Sequence, residues 1–214
     1  MSGGNRALAL AALLLAACGA PPPRAPIGWI ELFDGEALTG WHSTAFGGEG
    51  DVAVRDGALH LGVGSPLTGV TWTGEAPRGD YELELTATRV EGFDFFCGLT
   101  FPVRDGRFLT LILGGWGGSV SGLSCLDGED AGSNDTRTLR GFSNGVEHTV
   151  LLRVTDERVD VLLDGAPLLG ASLVGRELSL RPEVELSRPL GVASFATEAR
   201  IGRVRWRPLP SAAR

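Results

Sequence analysis

Gly114-Gly-Trp116-Gly-Gly118 sets four Gly around one Trp. Residues without side chains leave the Trp116 indole unshielded. A flat apolar ring with a polar edge suits the face of a sugar; the other reading is a ring that folds back and plugs one end of a packed domain. Asp94, at the end of Arg89-Val-Glu-Gly-Phe-Asp94, precedes the apolar run Phe95 to Phe101. A carboxylate entering a sheet there needs a partner, because a lone buried charge is costly. Arg89 can supply a bidentate one, either as a structural ion pair at a strand end or as a polar clamp for sugar hydroxyls. Cleaving a glycosidic bond takes two carboxylates, about 5.5 Å apart to retain configuration and farther to invert it. Asp94 and Glu49, the latter in Gly47-Gly-Glu-Gly50, are the candidate acid and base, with Arg89 orienting and Trp116 stacking.

Other polar clusters carry weaker signals. Glu183-Val-Glu185 has the spacing of one strand face, but it follows Pro182 and reads as a solvated loop or edge. Asp127-Gly-Glu-Asp-Ala-Gly-Ser-Asn-Asp-Thr136 gathers the oxygens calcium takes, without the twelve-residue helix-loop-helix ligand pattern. The plainer reading is a polar turn, and a further one has Asn134 and Thr136 lining a sugar groove beside Trp116; no other cofactor is called for. His42, His60 and His148 lack ligand spacing, which argues against zinc. His148 lies among alternating apolar residues and reads as structural. Cys97 and Cys125 either pair in an oxidising compartment or stay buried as small hydrophobes.

The compartment is read from the first eighteen residues. Arg6 precedes an apolar run from Ala7 to Ala17 that ends in Leu15-Ala16-Ala17-Cys18, a charged start, short apolar middle and small-residue cut site typical of export signals. The run is far shorter than the ~20 residues that span a bilayer. Leu-Ala-Ala-Cys resembles the bacterial lipoprotein box, which implies that Cys18 is acylated and becomes the mature N-terminus, several acyl chains anchoring stably where one does not. The expected organisation is a signal over residues 1–17, a lipidated Cys and Pro-rich tether over 18–28, one domain over 29–209 and a tail over 210–214. The protein is thus expected in the bacterial cell envelope, outside the cytoplasm. The net charge of −7 argues against nucleic acid. All 19 basic residues are Arg, and the absence of Lys excludes Schiff-base chemistry and a Walker-type phosphate loop.

The elements that must position these side chains are strands. Tyr81-Glu-Leu-Glu-Leu-Thr-Ala-Thr88 alternates with period two. Thr149 to Val154 and Val159 to Leu163 form an expected hairpin, and Arg200 to Arg207 alternates, with its arginines forming a solvated face. Asp-Gly pairs at Asp34, Asp56, Asp105, Asp127 and Asp164 are turn candidates. Single helical turns are expected at Ala37-Leu38 and Ser172 to Leu178, with no helix of normal length. About 14 short strands with frequent turns imply an all-β sandwich or barrel.

Glu31-Leu-Phe-Asp-Gly-Glu-Ala-Leu-Thr-Gly-Trp41 resembles the opening of the 3-keto-disaccharide hydrolase domain family. Val52-Ala-Val-Arg-Asp-Gly-Ala-Leu59, Tyr81-Glu-Leu-Glu-Leu85, Leu190-Gly-Val-Ala193 and Ile201-Gly-Arg-Val204 extend the likeness over roughly Trp29 to Leu209. The resemblance implies a concanavalin A-like jelly-roll sandwich of two antiparallel sheets, with a concave sheet that meets carbohydrate. It also implies a link to hydrolase or lyase chemistry on oxidised glycosides; the alternative is a non-catalytic carbohydrate-binding or structural envelope lipoprotein. Catalytically equipped members tend to carry acid and imidazole signatures where this sequence has Phe108-Leu-Thr-Leu-Ile-Leu-Gly114 and Val192-Ala-Ser-Phe-Ala-Thr197, both apolar.

Overall fold

The computed structural model describes Met1 and residues 28–210. The expected signal, the lipidation site Cys18, most of the tether and most of the C-terminal tail lie outside the described residues. From Ile30 to Pro208 the chain forms fifteen strands, numbered in chain order. They make two antiparallel sheets stacked as a sandwich, with no α-helix among the described residues. One sheet has eight strands, ordered β13 (Ala166–Ser172), β12 (Arg158–Leu163), β11 (Glu147–Val154), β6 (Tyr81–Gly92), β15 (Thr197–Pro208), β4 (Ala58–Leu61) and β3 (Val52–Arg55), with β1 (Ile30–Phe33) also pairing β15. The other has seven: β10 (Thr138–Leu139), β9 (Val120–Ser124), β8 (Phe108–Gly115), β7 (Cys97–Pro102), β14 (Gly191–Phe195), β5 (Leu67–Trp72) and β2 (Trp41–Ser43). The strand beyond the expected 14 or so reflects pieces such as β10, which at two residues is too short to show a period.

The turns follow their chemistry. Asp56, Asp105, Asp127 and Asp164 all have φ between 50° and 56°, and the Gly after each is also left-handed. That backbone twist suits two-residue hairpins. Asp34 instead caps its turn by accepting the Glu36 N–H at 2.9 Å. The helical turns expected at Ala37-Leu38 and Ser172 to Leu178 do not form: Leu173 donates its N–H to Glu157 O at 2.7 Å, and Leu178 bridges to Leu126. The short 3-10 turns are Arg104–Gly106 and Pro182–Ser187. Pro182 begins the second with φ already near its required value.

Between the sheets, Leu83, Leu85 and Ala87 of β6 meet Leu99, Phe101, Leu109 and Leu111 of β7 and β8. Tyr81 is buried in the same core and donates its hydroxyl to Pro102 O at 2.6 Å; burial pushes its phenol well above the ordinary range. The opposite face of the eight-stranded sheet carries an ion ladder set by register. Glu82 on β6 stands between Arg153 of β11 and Arg207 of β15. It accepts from Arg153 Nη2 at 2.7 Å and from Arg207 Nη2 at 2.6 Å while only 1% exposed. Arg205 reaches Glu84 at 2.8 Å and Arg203 reaches Glu31 at 2.9 Å, so these arginines are paired instead of forming the simple solvated face expected of them. Trp29 lies under both Arg205 and Arg207, with each guanidinium 4.5 Å from its ring centre.

Burial drives the Glu82 carboxyl up, but hydrogen bonds and charge from Arg153 and Arg207 outweigh it and hold the group below the usual carboxylate range. A depressed folded-state value contributes stability above the unfolded pKa of about 4.3, and that contribution fades as pH falls through the folded value. Urea denaturation of Glu82→Gln is expected to show a loss of about 2 kcal/mol at pH 7, less than for a fully buried pair because both guanidiniums are partly exposed. The parent protein should begin to lose this difference below about pH 4.3, and the two curves converge once the pH lies below the depressed folded value.

Candidate functional site

The seven-stranded sheet carries apolar side chains on both faces, with the hydroxyls of Thr110 and Ser124 added on the outer one. Leu111 and Val192 point into the main core, whereas Leu67, Ile112 and Ala193 point outward into a second cluster with Phe95, Ala131 and Val184. The outer face is therefore roofed in part by the 3-10 turn Pro182–Ser187 and by the loop of residues 127–136. What the roof leaves open is a cleft of about 240 Å³.

Five polar side chains reach the cleft: Asp94, Thr110, Ser124, Arg181 and Glu183. Most of their hydrogen-bonding capacity is engaged inside the protein. Asp94 Oδ1 accepts the Phe95 N–H at 2.8 Å, and Oδ2 accepts the Gly117 N–H at 3.2 Å. Ser124 Oγ accepts the Ala131 N–H at 2.8 Å, and the Thr110 hydroxyl pairs with that of Thr100 at 2.9 Å. Arg181 donates to Asp130 Oδ2 at 2.8 Å and to Glu183 Oε1 at 2.7 Å. The bond from Arg181 holds the Glu183 carboxyl below its usual range, and the same bond raises Arg181.

Trp116 lines this cleft at 46% exposure. It does not plug the sandwich. Its φ of 50° lies in the left-handed region, which for a bulky residue is strain of order ~1–3 kcal/mol that the surroundings must impose. One side of the indole is seated on Gly132: a Cβ there would come within 2.8 Å of the ring. Phe95 is seated on Gly98 in the same way, a Cβ there falling 2.8 Å from its ring. Both glycines are places where aromatic rings approach backbone closely.

Asp94 and Trp116 thus come together as the sequence led one to expect, while the other expected site residues go elsewhere. Arg89 makes no pair with Asp94. It donates from Nε to Asn144 Oδ1 at 2.8 Å and from Nη2 to Phe142 O, and Nη1 is buried without a partner. Glu49 sits in an exposed loop and does not line the cleft. Its Oε2 accepts the N–H groups of Gly48 at 3.0 Å and Gly47 at 2.8 Å, which hold the carboxyl below its ordinary value. Asn134 and Thr136 serve the loop itself. Asn134 Nδ2 donates to Leu123 O at 2.7 Å, its Oδ1 accepts from the Thr136 hydroxyl at 2.6 Å, and Thr136 Oγ1 accepts the Leu123 N–H at 2.9 Å. Neither lines the cleft.

The acidic loop is held by arginines. Arg176 pairs bidentately with Asp135 at 2.7 and 2.9 Å and reaches Asp127 at 3.1 Å, while Arg181 takes Asp130. Among the described residues no group of three or more His, Cys, Asp or Glu is arranged to hold a metal ion, so the calcium reading finds no ligand set. His148 donates from Nδ1 to Asp164 Oδ2 at 2.8 Å and packs against Phe142, away from the cleft.

Arg181 and the apolar wall formed by Leu67, Val184 and Phe195 were not singled out from the sequence. Proline after Arg181 gave a turn signal, but nothing local told that the turn would fold over a sheet. Thr110, Ile112 and Phe195 come from the two stretches noted as apolar where other members carry acid or imidazole, and they line the cleft.

A family model described as the 3-keto-alpha-glucoside-1,2-lyase-like domain matches residues 28–173. The match is shorter than the likeness read along the sequence: the 3-10 turn of the roof and strands β14 and β15 lie beyond it. No curated protein sequence matches the chain. Among solved structures, a Crh5 transglycosylase in complex with NAG superposes with a TM-score of 0.60 at 14% identity, over 90% of this chain and 89% of that one. The VIP36 exoplasmic/lumenal domain in its Ca2+/Man3GlcNAc-bound form gives 0.58 at 10% identity, over 86% and 90%. SCLam, a non-specific endo-beta-1,3(4)-glucanase from family GH16, gives 0.55 at 13% identity, over 86% and 95%. At these identities the likeness establishes the shared sandwich fold.

Cys97 and Cys125 are both buried free thiols, so the disulfide alternative is not the one adopted. Burial pushes Cys97 up to about 12 and also raises Cys125. The thiolate is the reactive form. In folded protein at pH 8 neither should react with a disulfide reagent within the time that labels both after urea unfolding, and reduction should leave the intact mass unchanged. A 2 Da gain on reduction, about two hydrogens, contradicts the assignment.

Proposed function

The chain belongs to the 3-keto-alpha-glucoside-1,2-lyase-like domain family, and from that premise we propose that it is a saccharide-binding protein held at the bacterial cell envelope. The sugar sits in the cleft on the outer face of the seven-stranded sheet. Trp116 carries this reading: a half-exposed indole, held in a left-handed backbone conformation and seated on Gly132, presents its free face to a cleft that Asp94, Arg181 and Glu183 also reach. Aromatic faces stack on the C–H faces of sugars, and charged planar groups bond their hydroxyls. The sugars NAG and Man3GlcNAc in the neighbours of this fold support a saccharide as the ligand class.

Binding fits the site better than turnover. Removing a proton next to a carbonyl, or protonating a leaving group, needs a carboxyl or imidazole poised near the working pH. Glu183 is held low by Arg181 and no imidazole lines the cleft. Of the two candidate carboxylates, Asp94 has both oxygens engaged by the Phe95 and Gly117 N–H groups, and Glu49 is outside the cleft. The anchor rests on Leu15-Ala16-Ala17-Cys18 after the charged, apolar start. Acylation at Cys18 would tether the domain through Pro21-Pro-Pro23 and the residues up to Trp29.

Two measurements test these readings. Trp116→Gly relieves the left-handed strain and removes the ring, so its melting temperature should stay within about 3 °C of the parent or rise. Its affinity for α-glucosides or their 3-keto forms should fall at least about tenfold by calorimetry. Unchanged affinity removes Trp116 from the site, and product release in the same incubations replaces binding with turnover. For the anchor, Cys18→Ser should move the protein from the washed membrane fraction to the soluble one; retention on the membrane contradicts lipidation there.

A further inference from the structure

The cleft is polarised across the strand order of its floor. The seven-stranded sheet runs β9, β8, β7, β14, β5 through this region. At the β9 side the lining is polar: Ser124 on the floor and Arg181 on the roof, with Asp130 behind Arg181 and Trp116 at the β8–β9 turn. Toward β14 and β5 it is apolar. Phe195 pairs in register with Leu67, its ring lies 5.6 Å from that of Phe95, and Val184 descends onto the same cluster from the roof. No polar side chain from β14 or β5 lines that end.

A buried sugar hydroxyl that finds no partner loses the full cost of its desolvation. The polar end can satisfy a few hydroxyls through the unengaged lone pairs and donors of Glu183, Arg181, Asp94 and Ser124. The apolar end can satisfy none. The volume, about 240 Å³, lies below the ~300–1,000 Å³ of sites for drug-sized ligands, which points to a ligand of about two rings and not a polysaccharide chain. We infer that the cleft takes a small glycoside with an aryl aglycone, its sugar on Trp116 beside Arg181 and Glu183, and its aromatic ring on Leu67, Val184 and Phe195. This inference rests on the saccharide reading above and adds the class of aglycone.

The test is a calorimetric comparison on the parent protein of phenyl and methyl α-glucosides, each also as its 3-keto form, with phenol alone as a third probe. The phenyl glycoside should bind at least about tenfold tighter than the methyl glycoside of the same sugar. Val184→Thr and Leu67→Thr should each narrow that ratio while leaving methyl glycoside affinity within about twofold; melting curves identify a variant that fails to fold, and either one suffices. Equal affinity of phenyl and methyl glycosides, or a ratio unmoved in a folded variant, overturns the aglycone site and leaves the saccharide reading standing. Phenol binding as tightly as its glycoside, or no binding by any probe, overturns the saccharide reading itself and the aglycone site with it.

Discussion

A sheet that carries apolar side chains on both faces needs cover on both, and the seven-stranded sheet of this protein is such a sheet. One face is closed by the eight-stranded sheet through leucines that recur with period two. The other exposes Leu67, Ile112 and Ala193, which at ~25 cal/mol per Å² cannot be left to water without a substantial loss. The chain answers with a roof instead of a third sheet. The roof is a single 3-10 turn and one loop, too small to cover the whole face, and the cleft is the uncovered remainder. Its position, its apolar floor and its limited polar lining all follow from that mismatch in area.

The same constraint explains why the polar groups near the cleft are so fully engaged. A roof with little apolar surface of its own is fastened by charge. Arg181 ties the 3-10 turn to Asp130, and Arg176 ties the segment before that turn to Asp127 and Asp135. Those carboxylates resemble a cation site in the sequence, and guanidinium groups take the cation's place. Fastening the roof draws Glu183 onto Arg181 and lowers its carboxyl. For Glu183, serving the fastening and serving as an acid at neutral pH are in opposition, and the fastening prevails. Trp116 stays half-exposed because its turn, bounded by glycines, projects from the sheet end and the roof meets the indole only on one side, at Gly132.

Local signals were legible in the sequence wherever the physics is local. Alternation in Tyr81 to Thr88 gave β6, and the Asp-Gly pairs gave hairpin turns because two consecutive left-handed residues are cheap only for such pairs. The four glycines around Trp116 left an exposed ring and a plug both open, and the ring is half-exposed. Whatever depended on which distant segments meet was not legible. Arg89 and Asp94 lie close in sequence, yet the chain turns between them, and Arg89 finds Asn144 and Phe142 from the loop before β11. Asn134 and Thr136 carry the groups that line sugar sites, but in a loop without regular structure those groups are needed to satisfy the backbone of β9. Arg181 gave no local signal because its role exists only once residue 130 is beside it.

The most direct test of the account is a crystal structure of the protein with phenyl α-glucoside bound. The account predicts a sugar ring parallel to the Trp116 indole, hydroxyls within hydrogen-bond distance of Arg181 or Glu183, and the phenyl ring over Phe195 and Leu67. A sugar bound on the eight-stranded sheet, or a cleft left empty while the ligand binds elsewhere, contradicts it.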